Sequence, residues 1–296
     1  MCEISIVYAL DGLVGQDGAE EVARMMAAGA ATNSHGWGMF SDDNHVAKKP
    51  EKFNMAAEKA AILRDYGDKC FVVGHVRYAT HGKHTDENTH PLVYKNWTLV
   101  HNGVIQNQSE LRQKYGIPRA PEVDSFVILW LVNKHYMDNG QDIEKAVKQA
   151  TAELKGWYSC FLYDRDAKRL FYFRNGADFH FRLVVTDNDN HFIVGNTKKD
   201  NASVAFSKSA WGFRIGVAKS LGWIHPREDA LFEIADSGVS ILCDLPEPVS
   251  EPVEAVQADL GEMRWKSAAR EDWAQQMDSV AGKYGPCGSG KDENST

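Results

Sequence analysis

The residue of this chain with the clearest chemical potential is Cys2, which directly follows Met1. If Met1 is removed, Cys2 carries a nucleophilic thiol together with a free α-amine of pKa about 7.7–8.0, which can take the thiol proton. The small side chain of Cys2 permits that removal. Because any chain can carry a cysteine at position 2, the interpretation depends on residues further along.

A second candidate is the arginine within the segment GHVRYATHG at residues 74–82. A mostly apolar strand runs into a polar loop there, and Arg77 stands where the strand ends. Its guanidinium can hold a carboxylate through two parallel hydrogen bonds. An isolated arginine at a strand end is more often an ordinary surface residue, so this interpretation also depends on other residues.

Two further segments supply the remaining chemistry. In HNG, at residues 101–103, the side-chain amide of Asn102 and the backbone N–H of Gly103 could form an oxyanion hole, although Asn-Gly alone favours a turn. Asp124 precedes an apolar helix and could receive an ammonium group, or could simply cap that helix. Together these groups would bind an α-amino acid by both its charges and attack a side-chain carbonyl, as in glutamine.

The order and spacing of these residues resemble a class II glutamine amidotransferase domain of the N-terminal-nucleophile hydrolase superfamily. The matching features are the Met-Cys opening, GHVRYATHG, NTHP at residues 88–91, HNG and Asp124. The resemblance implies an α+β fold, a four-layer αββα sandwich over residues 2–243, with Cys2 at the end of a central strand. Residues 244–296 are expected to form a Pro- and Glu-rich linker, a short helix over residues 260–277 and a disordered tail.

The resemblance also implies a role for each site residue. Cys2 would be the nucleophile and its amine the base, while Asn102 and Gly103 would form the oxyanion hole. Arg77 would hold the substrate carboxylate, and the loop at residues 78–83 would close over the substrate. The substrate-binding set implied in this way is Arg77, Tyr78, Thr80, His81, Gly103 and Asp124.

One segment narrows the branch of the family. SHGWG at residues 34–38 resembles the D-G-W-G of small stand-alone members, among them hydrolases that cleave γ-glutamyl amides in ergothioneine and glutathione metabolism. His35 stands where that branch usually has an acidic residue, and Phe126 stands where Glu is frequent. Both departures bear on substrate preference more than on the nucleophile.

Three functions remain open at this point. The leading one is a glutamine amidotransferase subunit that hydrolyses L-glutamine through a Cys2 thioester and passes ammonia to a separate synthase subunit. The second is a γ-glutamyl amide or peptide hydrolase that needs no partner. The third is a non-catalytic binding module, which retention of Met1 would favour because the thiol would then lack its amine base.

Charge and composition exclude other classes. The net charge of −8 without a basic stripe argues against nucleic-acid binding. With no signal peptide or membrane span evident, we expect a cytoplasmic protein. Five scattered cysteines without a C-x-x-C pair argue against a disulfide framework, and Cys70 and Cys160 are predicted to be core residues. No cofactor is implied, and no metal is expected at the histidines His75, His81, His84, His90 and His101, whose spacing matches no metal-ligand signature.

The remaining pattern predicts a layered arrangement of strands, then helices, then strands. The predicted helices span residues 20–28, 54–66, 109–115, 124–137 and 142–154. The predicted strands span residues 3–10, 36–40, 70–77, 96–101, 158–163, 169–173, 181–185, 191–194, 231–234 and 239–242. Turns are predicted at residues 102–103, 164–166 and 187–190.

Overall fold

A computed structural model of the protein describes residues 2–186, 189–203 and 219–246. The helices are α1 (Gly15–Gly29), α2 (Met55–Tyr66), α3 (Gln108–Tyr115), α4 (Ser125–Asp138), α5 (Ile143–Glu153) and α6 (Lys199–Ser203). The strands are β1 (Glu3–Ala9), β2 (Trp37–Ser41), β3 (Val46–Lys49), β4 (Phe71–Val76), β5 (Leu92–Tyr94), β6 (Trp97–Ile105), β7 (Gly156–Asp164), β8 (Arg169–Asn175), β9 (His180–Val185), β10 (His191–Asn196), β11 (Lys219–Ile224), β12 (Ala230–Ala235) and β13 (Gly238–Asp244).

These strands form two antiparallel sheets that pack face to face. The first sheet has seven strands in the order β11-β9-β10-β1-β4-β2-β3, and the second has six in the order β13-β12-β8-β7-β6-β5. Helices α1 and α2 cover the outer face of the first sheet, and α4 and α5 cover that of the second. The predicted four-layer αββα sandwich is therefore confirmed.

Strand β1 shows how the sequence produces these layers. Side chains alternate between the two faces of a strand, and β1 is apolar on both. Ile4, Ile6 and Tyr8 point into the core between the sheets, whereas Val7 and Ala9 pack against the helical layer. Because β1 is paired on both sides, with β10 and β4, Cys2 lies at the start of a central, buried strand.

The helices of the second layer follow from equally simple patterns. Helix α4 is apolar nearly all round, as its buried residues Phe126, Ile128 and Leu131 show, because it lies between the second sheet and its neighbouring helices. Helix α5 begins at an extended Asp142, whose carboxylate accepts a hydrogen bond from the Lys145 amide at 3.0 Å. None of the helices in the described residues combines the length and apolar character needed to cross a membrane.

Several predictions need correction. The Asn102-Gly103 turn is wrong, because β6 continues through it to Ile105. The pattern missed the short elements β3, β5 and α6, and also β11. Cys160 is buried as predicted, but Cys70 is only half-buried. The predicted helix at 260–277, the tail and Cys287 lie outside the described residues, as does part of the turn at 187–190. The four described cysteines form no disulfide with one another.

Candidate active site

The thiol of Cys2 lies against the first residue of the loop that follows Arg77. Tyr78 N–H donates to Cys2 Sγ at 3.3 Å, and the same sulfur lies 3.5 Å from the Tyr78 carbonyl oxygen. Cys2 has the parity of Ile4 and Ile6, so its side chain faces the space between the sheets. The candidate nucleophile is thus placed at the start of β1, beside the predicted closing loop.

The thiol is held in its neutral form. Burial raises the pKa of Cys2, and the negative charge of Asp124 adds to that rise, while the Tyr78 amide and the Arg77 guanidinium act in the opposite direction. A neutral thiol is a weak nucleophile and needs a base to remove its proton during attack. The thiol therefore requires a base, a role that the family resemblance assigns to the α-amine of Cys2 after removal of Met1.

The Arg77 side chain holds the loop through hydrogen bonds to its backbone. The side chain is only 2% exposed. Nη2 donates to the carbonyl oxygens of His81 at 2.6 Å and Gly82 at 3.4 Å, and Nη1 donates to that of Lys83 at 3.1 Å. Burial lowers the pKa of Arg77, and Cys2 and Asp124 oppose that shift. The guanidinium in this structure binds the loop backbone, so its predicted contact with a substrate carboxylate stays a prediction.

A second clamp holds the far end of the same loop. The Glu122 carboxylate accepts hydrogen bonds from Lys83 N–H at 3.0 Å and Asn88 Nδ2 at 3.2 Å. Asn88 Oδ1 in turn accepts from Glu122 N–H at 2.8 Å. The Lys83 amide holds the pKa of Glu122 below its usual range, with Asn88 contributing. This reciprocal pair fixes where the loop ends.

The other predicted loop residues are on its surface. Tyr78, Thr80 and His81 all have exposed side chains, and Tyr78 is 45% exposed. The loop therefore brings its backbone to the nucleophile and leaves these side chains exposed to solvent.

The predicted oxyanion hole lies on β6. Neither side-chain polar atom of Asn102 has a hydrogen-bond partner among the described residues, although Asn102 is 1% exposed. It has the parity of Val100, which faces the core between the sheets. Gly103 has φ +147°, and a Cβ there would lie 2.1 Å from the Trp157 carbonyl oxygen. The backbone at this point excludes every side chain, while the Asn102 amide remains available to a ligand.

Asp124 does not cap its helix with its side chain. It occupies the position before α4, but its carboxylate accepts a hydrogen bond from Ile105 N–H at 2.7 Å, at the end of β6. Asp124 is 4% exposed. The carboxylate thereby joins α4 to the strand that carries Asn102 and Gly103, which places a buried negative charge on the predicted amine-binding side of the site.

Comparisons with known proteins point to one family for part of the chain. Residues 75–200 match a family described as glutamine amidotransferase domain. Glutamine--fructose-6-phosphate aminotransferase of Pectobacterium atrosepticum is 30% identical over 181 residues, covering 56% of this chain and 29% of that protein. The Staphylococcus aureus protein of the same name is 33% identical over 171 residues, covering 54% and 28%. These matches support a class II glutamine amidotransferase domain in this chain.

A solved structure supports the same fold. Glutamine phosphoribosylpyrophosphate amidotransferase from B. subtilis superposes with a TM-score of 0.58 at 17% identity, covering 81% of this chain and 48% of that one. Class II amidotransferase domains are enzymes with an N-terminal cysteine nucleophile. The chain spans less than a third of the length of the curated relatives it matches.

The histidines near the candidate site separate into two groups. His75, His90 and His101 are buried together, with ring centroids 4.4 Å apart for His75 and His90 and 6.4 Å apart for His90 and His101. His75 Nε2 contacts the His101 carbonyl oxygen at 3.2 Å, and His101 Nδ1 contacts Ser125 Oγ at 2.7 Å. We call these three residues the histidine shelf.

Burial keeps the shelf neutral. It lowers the pKa of His75 to about 3 and lowers those of His90 and His101, and for His90 the neighbouring rings add to the effect. Within residues 2–186, 189–203 and 219–246, no group of three or more His, Cys, Asp or Glu side chains is arranged to hold a metal ion. His81 and His84 lie apart from the shelf, on or next to the exposed loop.

The sequence analysis did not predict the contacts of three residues around the candidate site. Glu122 carries no local pattern that marks it. Lys48, on the unpredicted strand β3, donates to the carbonyl oxygens of Thr89 at 2.9 Å and Pro91 at 3.3 Å and so supports the NTHP segment. His35 was noted only as a departure from the family, and its contacts with the loop had no sequence signal.

Proposed function

We propose that the protein hydrolyses L-glutamine to glutamate and ammonia through a thioester on Cys2. The observation that carries the proposal is the contact between Cys2 Sγ and the backbone of Tyr78, the residue that follows the buried Arg77. That contact brings the thiol together with a loop whose closure would surround a small substrate.

The reaction balances with groups already described. After removal of Met1, the Cys2 amine takes the thiol proton while sulfur attacks the side-chain amide carbon, and the resulting oxyanion is held by Asn102 and Gly103. The amine returns the proton to the leaving nitrogen, the C–N bond breaks, and ammonia departs. Water then attacks the thioester, which releases glutamate and the free thiol.

The charged ends of glutamine would be bound on opposite sides of the thiol. Arg77 and the backbone near Thr80 and His81 would receive the α-carboxylate, and Asp124 with Gly103 would receive the α-ammonium group. Support comes from charge: a buried guanidinium and a buried carboxylate both act on the pKa of Cys2. An amino acid lying between them would be bound through both ends.

The ammonia would pass to a separate acceptor enzyme. The support is indirect: the relatives are named as aminotransferases that use glutamine with a second substrate, and this chain matches less than a third of their length. A purified acceptor should raise the rate of glutamine hydrolysis. If no candidate synthase changes the rate of glutamine hydrolysis, the result would favour a hydrolase that acts without a partner.

That second candidate, a γ-glutamyl amide hydrolase, is favoured by one observation. The segment that resembles such hydrolases, residues 34–38, contacts the loop beside the nucleophile: His35 N–H donates to the Arg77 carbonyl oxygen at 3.0 Å, and Arg77 N–H donates to that of Gly36 at 2.7 Å. Faster turnover of γ-glutamyl conjugates than of glutamine would select it.

The test is an intact mass before and after treatment with a diazo-ketone analogue of glutamine. Wild type should lack Met1 and gain one adduct, Cys2→Ala should gain none, and Cys70→Ala, which alters a half-buried cysteine, should behave as wild type. A protein that retains Met1 and takes no adduct would contradict the proposal and favour a binding module.

A further inference from the structure

His35 contacts the loop that covers the nucleophile in three ways. Its Nδ1 accepts a hydrogen bond from Ala79 N–H at 2.9 Å. Its ring stacks on His84 with centroids 4.4 Å apart and an interplanar angle of 21°. It also lies 5.2 Å from the ring of Tyr78. A single side chain therefore contacts both ends of the loop segment 78–84.

The hydrogen bond to Ala79 acts on the same peptide group that contacts Cys2. The Tyr78 carbonyl and the Ala79 N–H belong to one planar unit, and this bond is not among the cis peptides of the described chain. In a trans peptide the two groups point in opposite directions. The carbonyl oxygen lies 3.5 Å from Cys2 Sγ, while the N–H meets the imidazole of His35. Fixing one end of the plane fixes the other.

We propose that His35 is a positioning residue that, as a neutral imidazole, holds the Tyr78–Ala79 peptide in the orientation that places the Cys2 thiol, and that protonation of its ring releases the loop. The inference rests on the proposed function for its effect on turnover. Its structural part, the orientation of the peptide, is independent of which substrate the site hydrolyses.

The chemistry of the ring explains why its charge matters. To accept from Ala79 N–H, Nδ1 must be unprotonated, so the neutral ring carries its proton on Nε2. Protonation makes Nδ1 a donor and sets two N–H groups against each other. The titratable groups facing the ring are Arg77 at the end of β4 and Tyr78 and His84 in the loop. Burial, His84 and Arg77 all lower the pKa of His35, which keeps the acceptor form at neutral pH.

Two substitutions separate the acceptor from the ring. His35→Asn keeps an acceptor oxygen near the Nδ1 position and removes a group that can be protonated, while His35→Phe keeps the stacking surface and removes the acceptor. We expect His35→Phe to raise KM for glutamine and slow labelling of Cys2 by about three- to tenfold, the effect of one lost hydrogen bond. His35→Asn should stay close to wild type at neutral pH.

The deciding measurement is amide hydrogen exchange in the peptide covering residues 77–84, corrected for intrinsic pH dependence, from about pH 7.5 to about pH 5.5. Wild type should lose protection as the pH falls, His35→Asn should not, and His35→Phe should be unprotected throughout. His84→Ala removes a neighbour that lowers the pKa of His35 in the ordered loop. The pKa of His35 then differs less between the ordered and the released loop, so the loss of protection in acid should be smaller than in wild type.

The outcomes distinguish the two proposals. If exchange follows this pattern but no variant turns over glutamine, the positioning role stands and the proposed function fails. Equal protection in wild type and His35→Phe, or the same acid response in wild type and His35→Asn, would overturn the role of His35 whatever the substrate. Circular dichroism of each variant checks that it is folded.

Discussion

The candidate site has two halves that are built differently. Cys2, Asn102 and Gly103 lie in or beside β1 and β6, where ladders of backbone hydrogen bonds and a continuous apolar core fix them. The loop at residues 78–84 has mostly exposed side chains and is held by a few contacts from Arg77, Glu122 and His35. The strand half is set by the fold, and the loop half is set by individual side chains that can be changed one at a time.

The largest expected effect comes from breaking the strand half at Gly103. In Gly103→Ala the new Cβ would meet the Trp157 carbonyl oxygen at 2.1 Å, at a φ of +147° that alanine rarely adopts. The strand must shift, and the predicted oxyanion donor shifts with it, so kcat for glutamine should fall by about 100- to 1000-fold.

A matched control for that substitution is Gly116→Ala. Gly116 also has a positive φ, of +64°, but nothing lies within 4 Å of the position of its Cβ. It should cost about 1 kcal/mol of stability and leave kcat unchanged. Near-wild-type activity in Gly103→Ala would show that the geometry of β6 at this point is not required.

Acid should destabilise the strand half at His75, a buried residue of β4 that pairs with Ile4 of β1. His75 titrates near pH 6.5 in the unfolded chain and at about 3 in the folded one. Between those values the unfolded chain binds a proton that the folded chain does not. The free energy of unfolding should therefore decrease as the pH is lowered through this window. The decrease is about 1.4 kcal/mol per pH unit for each histidine that the fold keeps neutral.

Urea unfolding at several pH values measures this slope. His75→Gln should reduce the slope of the free energy of unfolding against pH by the contribution of one proton, because glutamine does not titrate. The glutamine amide can still donate to the His101 carbonyl oxygen. A slope identical in wild type and His75→Gln would mean that this histidine is not held neutral by the fold.

The smallest effect is expected from the end of the loop. Glu122→Ala removes the acceptor for Lys83 N–H and Asn88 Nδ2, so the closed loop loses part of its anchoring. KM for glutamine should rise by about three- to tenfold with little change in kcat, because closure and not chemistry is weakened. Glu110→Ala, at an exposed position on α3, is the control; a kcat defect as large as that of Gly103→Ala would erase the distinction between the halves.

The strand half was largely predictable from the sequence, and the loop half was not. Short, mostly apolar runs identified β1 and β4, and the motifs then located Cys2 and Arg77 at their ends. Asn102 was found through the HNG motif and lies within β6. Asn102-Gly103 misled as a turn because local propensity favours one, whereas pairing with β7 on one side carries the strand through. Tertiary pairing of this kind leaves no mark in a short window of residues.

The residues that hold the loop were not predicted, for a different reason. Glu122 and His35 act through hydrogen bonds to backbone groups about forty residues away in sequence, and a backbone acceptor or donor has no residue type to recognise. The same holds for Lys48, which binds two carbonyl oxygens from a strand too short and polar to be predicted. Only the family resemblance pointed to position 35, and it did not indicate which groups His35 contacts.

The central position of β1 determines the order in which its strand pairings form. Ser5 pairs with Asn196 on one side and with Gly74 on the other, so the earliest strand of the chain cannot complete its ladder until β10 exists. Pairings this distant in sequence form late, because the chain must first close a long loop. Until β10 forms, β1 can pair only with β4, so the strand that follows Cys2 keeps one unpaired edge. The final support of the nucleophile's strand therefore comes from a segment far along the chain.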